Sequence, residues 1–131
     1  MNALRAAIYS KATESSSFNT SIGGRFYFDK APQTPTYPFV VAHEIVNNYD
    51  FTFQEDYEIV RVQFNIHSKS SSNSECGTIY DNLRALFDWC QLSVSGYRFL
   101  KSQRSTSMSF WDDKKLEYVY TVDYTFTIQK T

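Results

Sequence analysis

Two adjacent segments near the middle of the chain carry the clearest hydrophobic patterns. From Tyr57 to His67, apolar residues alternate with polar ones, which is typical of a β-strand with one buried face. The apolar positions are Val60, Val62, Phe64 and Ile66. From Glu75 to Cys90, apolar residues are instead spaced by three and four, which is typical of one face of a helix. We therefore expect this strand and this helix to bury their apolar faces against each other as the core.

The segment between them, Ser68 to Ser74, is rich in serine and predicts a turn. Ser72 and Glu75 have the spacing of a capping box, in which the hydroxyl and the carboxylate each bind a backbone N–H at the start of a helix. The helix is therefore expected to begin here. Its predicted apolar stripe comprises Cys76, Ile79, Tyr80, Leu83, Leu86, Phe87 and Cys90.

The rest of the chain predicts one more helix and several strands. Asn2 is expected to cap a first helix that runs to about residue 13 or 14, and residues 15–20 form a polar loop after it. Further predicted strands cover residues 25–28, 39–46, 97–110 and 116–129, with a short strand at 51–53. The last of these strands should be the longest. The two long strands, 97–110 and 116–129, should both lie in the middle of the sheet.

The predicted connections follow from turn chemistry. Three prolines make residues 29–38 an extended, exposed connection. Residues 47–50, Asn-Asn-Tyr-Asp, have the composition of a turn, and residues 111–115 that of a hairpin loop. The element order αβββαββ predicts a single α+β domain over residues 1–131, with a mixed, mainly antiparallel sheet and two helices packed on one face.

Composition narrows the classes of function. The formal charge is −1, from 13 basic and 14 acidic residues, which does not favour a dedicated nucleic-acid or membrane-surface binder. Cys76 and Cys90 would lie about 21 Å apart along one helix, so they cannot form a disulfide there and are expected to be core thiols. The N-terminus has no secretory pattern, which favours a soluble cytosolic chain.

Candidate catalytic groups are few. His43-Glu44 begins like a zinc-protease motif, but Asn47 stands where the second histidine is required. His67 falls on the polar side of the central strand and is expected to be solvated. Asp112 and Asp113 are followed at once by two lysines, at a solvated tip. The residues therefore predict no catalytic site, no metal site and no cofactor.

Four stretches resemble the tail terminator and tail completion proteins of long-tailed bacteriophages. They are Leu4 to Ile8, Gly24 to Val41, Arg61 to Ser68 and Ile79 to Phe87. The resemblance implies a non-catalytic virion protein of the tail or neck, made in the host cytoplasm. It implies a homo-oligomer, a hexameric ring that caps the tail tube and joins it to the head connector. Its implied partners are the major tail tube protein and the connector or stopper protein, without a membrane, and genomic DNA passes through without sequence-specific binding.

Large apolar residues in otherwise polar turns mark two candidate contact surfaces, the loop Asn47 to Glu55 and the tip Met108 to Lys115. The residues expected to contact partners are Tyr49, Phe51, Phe53, Met108, Phe110, Trp111, Lys114 and Lys115. The alternative for these side chains is that they pack back onto the sheet of their own domain.

The sequence is also compatible with two other functions. The chain could be a different neck component, such as a stopper or head completion protein. It could also be a small ligand-binding or enzymatic α+β domain, in which His43, Glu44 or His67 lines a pocket between sheet and helix. Oligomer mass separates these classes, because a ring of about six subunits favours the phage protein.

Overall fold

A computed structural model describes residues 2–51, 55–70 and 72–131. The helices are α1 (Asn2–Ala12), α2 (Ser17–Ile22) and α3 (Ser74–Phe87), and the strands are β1 (Phe26–Phe28), β2 (Phe39–Phe51), β3 (Asp56–Ser68), β4 (Tyr97–Asp112) and β5 (Glu117–Lys130). The strands form one sheet in the order β1-β2-β3-β5-β4, in which β1 is parallel to β2 and the other pairs are antiparallel. The predicted α+β class and mixed, mainly antiparallel sheet are confirmed.

The core lies between one face of the sheet and the helices, as predicted from the central strand and helix. The alternating apolar residues of β3 are all buried, and so are most residues of the α3 stripe. Phe64 is fully buried at the centre, with its ring 5.1 Å from that of Phe87 and 5.6 Å from that of Tyr124. Burial of such aromatic side chains supplies most of the hydrophobic stabilisation.

A third helix replaces the polar loop that was predicted over residues 15–20. Ser16 caps α2, because its hydroxyl accepts a hydrogen bond from the backbone N–H of Asn19 at 3.2 Å. Phe18 and Ile22, four residues apart, are buried in the core. Gly23 ends the helix with a φ of 59°, a left-handed conformation that glycine adopts easily. Upstream, Asn2 lies within α1 rather than capping it.

The predicted capping box at the start of α3 is wrong. The cap position is Asn73, which makes no side-chain capping hydrogen bond. Glu75 instead accepts a hydrogen bond from the hydroxyl of Ser68 at 2.5 Å, because β3 extends to Ser68 and brings that side chain to the helix. The helix also ends at Phe87, so Cys90 lies beyond it, although Cys76 and Cys90 are both free and buried as expected.

The predicted turn at residues 47–50 is also wrong, because β2 continues through it. Asn47 pairs with Val60 and Asp50 pairs with Tyr57 in the antiparallel ladder with β3. Pairing with a long partner strand satisfies the backbone groups that a turn would otherwise leave to solvent. β2 and β3 therefore form an antiparallel pair along almost their whole length. Beyond Phe51, the predicted short strand at 51–53 lies outside the described residues.

The last two strands differ from prediction in length and position. β4 has 16 residues and β5 has 14, so β5 is not the longest. β5 lies between β3 and β4, whereas β4 lies at the edge of the sheet rather than centrally. Trp111 and Asp112 belong to β4, and the hairpin turn follows them instead of beginning at Trp111.

Candidate functional site

The face of the sheet opposite the helices carries mostly polar side chains. We call it the open face and define it by Arg61, Gln63, Asn65 and His67 of β3 and by Thr121 and Asp123 of β5, which the strand register places side by side. Arg61 forms a salt bridge of 2.7 Å with Asp123, and Gln63 donates a hydrogen bond to the same carboxylate at 3.1 Å. Thr121 donates to Asn65 at 2.9 Å. These side chains thus satisfy one another's hydrogen-bonding groups and hold β3 and β5 in register.

At one end of the open face, the half-buried side chains of Tyr37 and His67 form a polar cluster around the buried Glu117. Glu117 is 1% exposed, and its Oε1 lies 2.7 Å from Nδ1 of His67. The hydroxyl of Tyr37 donates a hydrogen bond of 2.5 Å to Glu117 Oε2. The ring of Phe39 stacks on His67 with 4.6 Å between centroids. His67 is on the polar side as expected, but it is half-buried rather than solvated, because Phe39 and Glu117 pack against its ring and only 18% of the side chain is exposed.

Burial and the neighbouring carboxylate also change the acidity of this cluster. Desolvation, with the hydrogen bond to Glu117 as the next cause, raises the pKa of Tyr37 to about 12. Its hydroxyl therefore remains a proton donor throughout the physiological range. The cluster fixes the connection before β2 to the sheet.

A cleft of about 580 Å³ lies on the open face beside this cluster. Its lining includes His43 and His67, together with Asn65 and the proline-rich connection around Pro32 and Pro35. The alternative interpretation of the sequence placed such a pocket between sheet and helix, and that position is wrong because the core fills that space. Within the described parts of the chain, no group of three or more His, Cys, Asp or Glu side chains is arranged to hold a metal ion.

The first candidate contact surface lies where β2 ends. Tyr49 is 62% exposed, and the residues around it, Asn48 and Asp50, are exposed too. Phe51 is the last residue of β2, while Phe53 lies outside the described residues. Tyr49 therefore presents its ring outward at this end of the sheet.

The second candidate contact surface lies at the β4–β5 turn. Met108 is 61% exposed and Phe110 47%, and their register partners place both on the open face. Trp111 lies on the other face, where its ring is 4.6 Å from that of Tyr118, yet 43% of it stays exposed. The backbone N–H groups of Lys114 and Lys115 donate to Asp112, which shapes the turn and leaves both lysine side chains exposed.

These two surfaces lie at opposite ends of the sheet. Phe51 pairs with Asp56, the first residue of β3, whereas Trp111 pairs with Tyr118, which in turn pairs with Ser68, the last residue of β3. The 13 residues of β3 span about 40 Å between the two ends. Aromatic side chains are therefore exposed at both ends of the sheet, along the direction of its strands.

Trp89 is an exposed side chain that the sequence reasoning missed. It is 73% exposed, and it lines a shallow depression with Asp88 and with Ser102, Gln103 and Arg104 of β4. Its position could have signalled this, because it falls between Phe87 and Cys90 and off the apolar stripe. An exposed tryptophan beside an edge strand is typical of a protein contact surface.

The sequence matches the family described as tail completion protein gp17 over residues 6–129. The chain belongs to this family. The resemblance predicted from the sequence is therefore confirmed, and the protein is a structural component of the phage tail, located in the virion.

Solved structures share the fold. A chain from the virion of a native gene transfer agent particle superimposes with a TM-score of 0.79 at 9% identity, over 96% of this chain and 94% of that one. A second solved chain has a TM-score of 0.63 at 13% identity, over 99% of this chain and 96% of that one. None of the curated proteins matches the sequence. Among the described residues, no helix is both long enough and apolar enough to cross a lipid bilayer.

Proposed function

We propose that this tail completion protein assembles as a closed homo-oligomeric ring, a hexamer, that caps the tail tube and joins it to the head connector. The observation that carries the proposal is the placement of exposed aromatic residues at the two opposite ends of the sheet, around Tyr49 and around Trp111. A component that lies between two partners needs one contact surface for each of them. Aromatic residues and methionine are enriched in such surfaces.

A ring also requires two different lateral surfaces on each subunit, since a head-to-tail contact closes only when one side fits the other. The sheet supports this requirement, because its two edges, β1–β2 and β4, differ in length, sequence and partners. Strand edges pair through their backbone groups, so a lateral contact between edges would not depend on the aromatic side chains at the two ends.

The role is structural and non-catalytic, and the ring conducts genomic DNA without sequence-specific binding. The polar groups of the open face support a structural role, because Arg61, Gln63 and Asp123 bind one another rather than converging on an empty position. A net charge of −1 supports passage of DNA rather than its retention, since tight DNA binding requires clustered basic residues.

Paired substitutions at the two ends test the proposal. We expect Tyr49→Ala with Phe51→Ala, and Met108→Ala with Trp111→Ala, each to leave ring size unchanged. One pair should weaken binding to tubes assembled from the major tail protein, and the other should reduce joining of completed tails to heads. Tyr9→Ala is the control, because Tyr9 is 49% exposed but belongs to helix α1 and to neither candidate contact surface. If both paired variants bind tubes and join heads as the wild type does, the proposal is wrong.

A further inference from the structure

The sheet has two edges that no strand of the described chain covers. Among the described strands, β4 pairs with β5 alone, so the other side of its 16 residues is unpaired there. On the outer side of β2, β1 pairs only with Val40, Val41 and Ala42. From His43 to Phe51, that side of β2 has no strand partner among the described residues. Unpaired strand edges readily add a further strand from another chain.

We propose that β4 of one copy pairs with the uncovered part of β2, residues 43–51, of the neighbouring copy. This inference rests on the proposed ring and specifies its lateral contact. The sheet of each subunit would then continue into that of the next.

Strand direction supports this pairing. From β2 through β3 and β5 to β4, each neighbour is antiparallel to the last, so β4 runs opposite to β2. Rotation about a ring axis keeps the direction of each strand relative to that axis. The β4 edge of one copy therefore meets the β2 edge of the next copy in antiparallel orientation, which is the commoner and slightly more stable arrangement.

The charges on the two strands also support the pairing of β4 with β2. On the open face, β4 carries Arg98 and Lys101, whereas β2 carries Asp50 and no lysine or arginine. Arg104 is already paired with Asp88 of its own chain at 3.4 Å. The two edges therefore have opposite net charge. Opposite charges on facing edges favour pairing of unlike edges and disfavour pairing of β4 with β4.

Arg98 and Asp50 lie in the same row, which here means a line of register partners that runs across the sheet from strand to strand. Arg98 pairs with Gln129, Gln129 with Tyr57, and Tyr57 with Asp50, so all four side chains share the open face. Three strand spacings separate Arg98 from Asp50 within one chain, about 14 Å, which is too far for an ion pair. Both residues are exposed. If β4 pairs with β2 of the next copy without a shift between their rows, Arg98 and Asp50 would lie side by side.

Trp89 adds an apolar anchor next to the same edge. It projects beside Gln103 and Arg104, where a neighbouring copy would cover it. Bulges at Leu100 and Ser105 of β4 and at Ile45 of β2 make the edges irregular, which limits indiscriminate pairing with other strands. The contact is therefore selective for its own partner edge.

Charge reversal tests the contact. Arg98→Glu alone and Asp50→Arg alone should each raise the concentration needed for ring assembly about tenfold, since each places like charges together at every contact. A 1:1 mixture of the two variants should restore assembly. In alternate contacts the two introduced side chains, of opposite charge, face each other, and in the remaining contacts the native Arg98 faces the native Asp50. Circular dichroism of each variant should be unchanged, as both positions are exposed.

Cysteine cross-linking tests the geometry independently. Lys101 and Asn48 also share a row, through Thr127 and Ile59. Mild oxidation of a Lys101→Cys, Asn48→Cys variant should yield a ladder of covalent oligomers up to the closed ring, because within one chain the two positions are too far apart to pair. A Lys101→Cys, Asp81→Cys variant is the control, since Asp81 lies on the exposed side of α3.

The outcomes separate this inference from the function on which it rests. Restoration by mixing together with the cross-linked ladder supports the edge pairing. If the wild type forms rings but the two charge variants assemble normally and no ladder appears, the edge pairing is wrong and the ring stands. If the wild type forms no ring, alone or on tail tubes, both the proposed function and this inference are wrong.

Discussion

Glu117 Oε1 and His67 Nδ1 lie 2.7 Å apart in a site where the carboxylate is 1% exposed. A buried carboxylate is stable only when it is hydrogen-bonded, and here Tyr37 supplies a further donor at 2.5 Å. The contact therefore ties the connection before β2 to β3 and β5. It positions the end of the sheet where Trp111 is exposed.

Glu117→Gln should loosen this end of the molecule. The amide keeps the shape but cannot accept hydrogen bonds from both partners, so we expect a loss of about 1–3 kcal/mol in the free energy of unfolding. Trypsin should also cleave faster after Lys30, which is exposed in the connection that Tyr37 anchors. Urea denaturation and a proteolysis time course measure the two effects. Glu14→Gln, on the helical side, is the control, and equal behaviour of the two variants would contradict this role of Glu117.

Alkaline pH should destabilise the fold through Tyr37. Its pKa is raised from 10.0 to about 12, so the folded protein keeps a proton that the unfolded chain loses. This contribution is fully present below pH 10 and is lost as the pH rises from 10 towards 12. Tyr37→Phe removes the ionisable group, so its stability should fall less steeply than that of the wild type between about pH 10 and 11. Unfolding midpoints in urea test this, and identical slopes would argue against it.

Truncation of two phenylalanines should change stability by very different amounts. Phe64 is fully buried against Phe87 and Tyr124, so Phe64→Ala should cost about 3–5 kcal/mol in the free energy of unfolding. Phe110 is 47% exposed, and Phe110→Ala should cost under about 1 kcal/mol. Thermal and urea unfolding of both variants measure the difference. A large loss of stability in Phe110→Ala would mean that this side chain serves its own domain rather than a partner.

The core was predictable from the sequence because its signals are periodic. The alternation in β3 and the spacing of three and four in α3 each identify one buried face, and both faces meet in the structure. The family resemblance was also recognisable from segments spread along the chain. Local signals failed where a distant partner decides the structure. Residues 47–50 look like a turn, but β3 pairs with them, and Glu75 looks like a cap, but Ser68 binds it.

The candidate surfaces were predictable only in part. Large apolar residues in polar segments identified both ends of the sheet, and Tyr49, Met108, Phe110 and Trp111 are indeed exposed. That they lie at opposite ends depends on strand order, which the sequence does not encode locally. The partial burial of His67 was not predictable for the same reason, since Glu117, which contacts it, and Tyr37, which binds Glu117, come from distant segments.

Cryo-electron microscopy of the neck of the intact virion tests the central claim most directly. We expect one ring of six copies between the last ring of the tail tube and the head connector, with the end around Tyr49 against one partner and the end around Trp111 against the other. A protein present as isolated copies, or a ring located elsewhere in the particle, would contradict the proposed function.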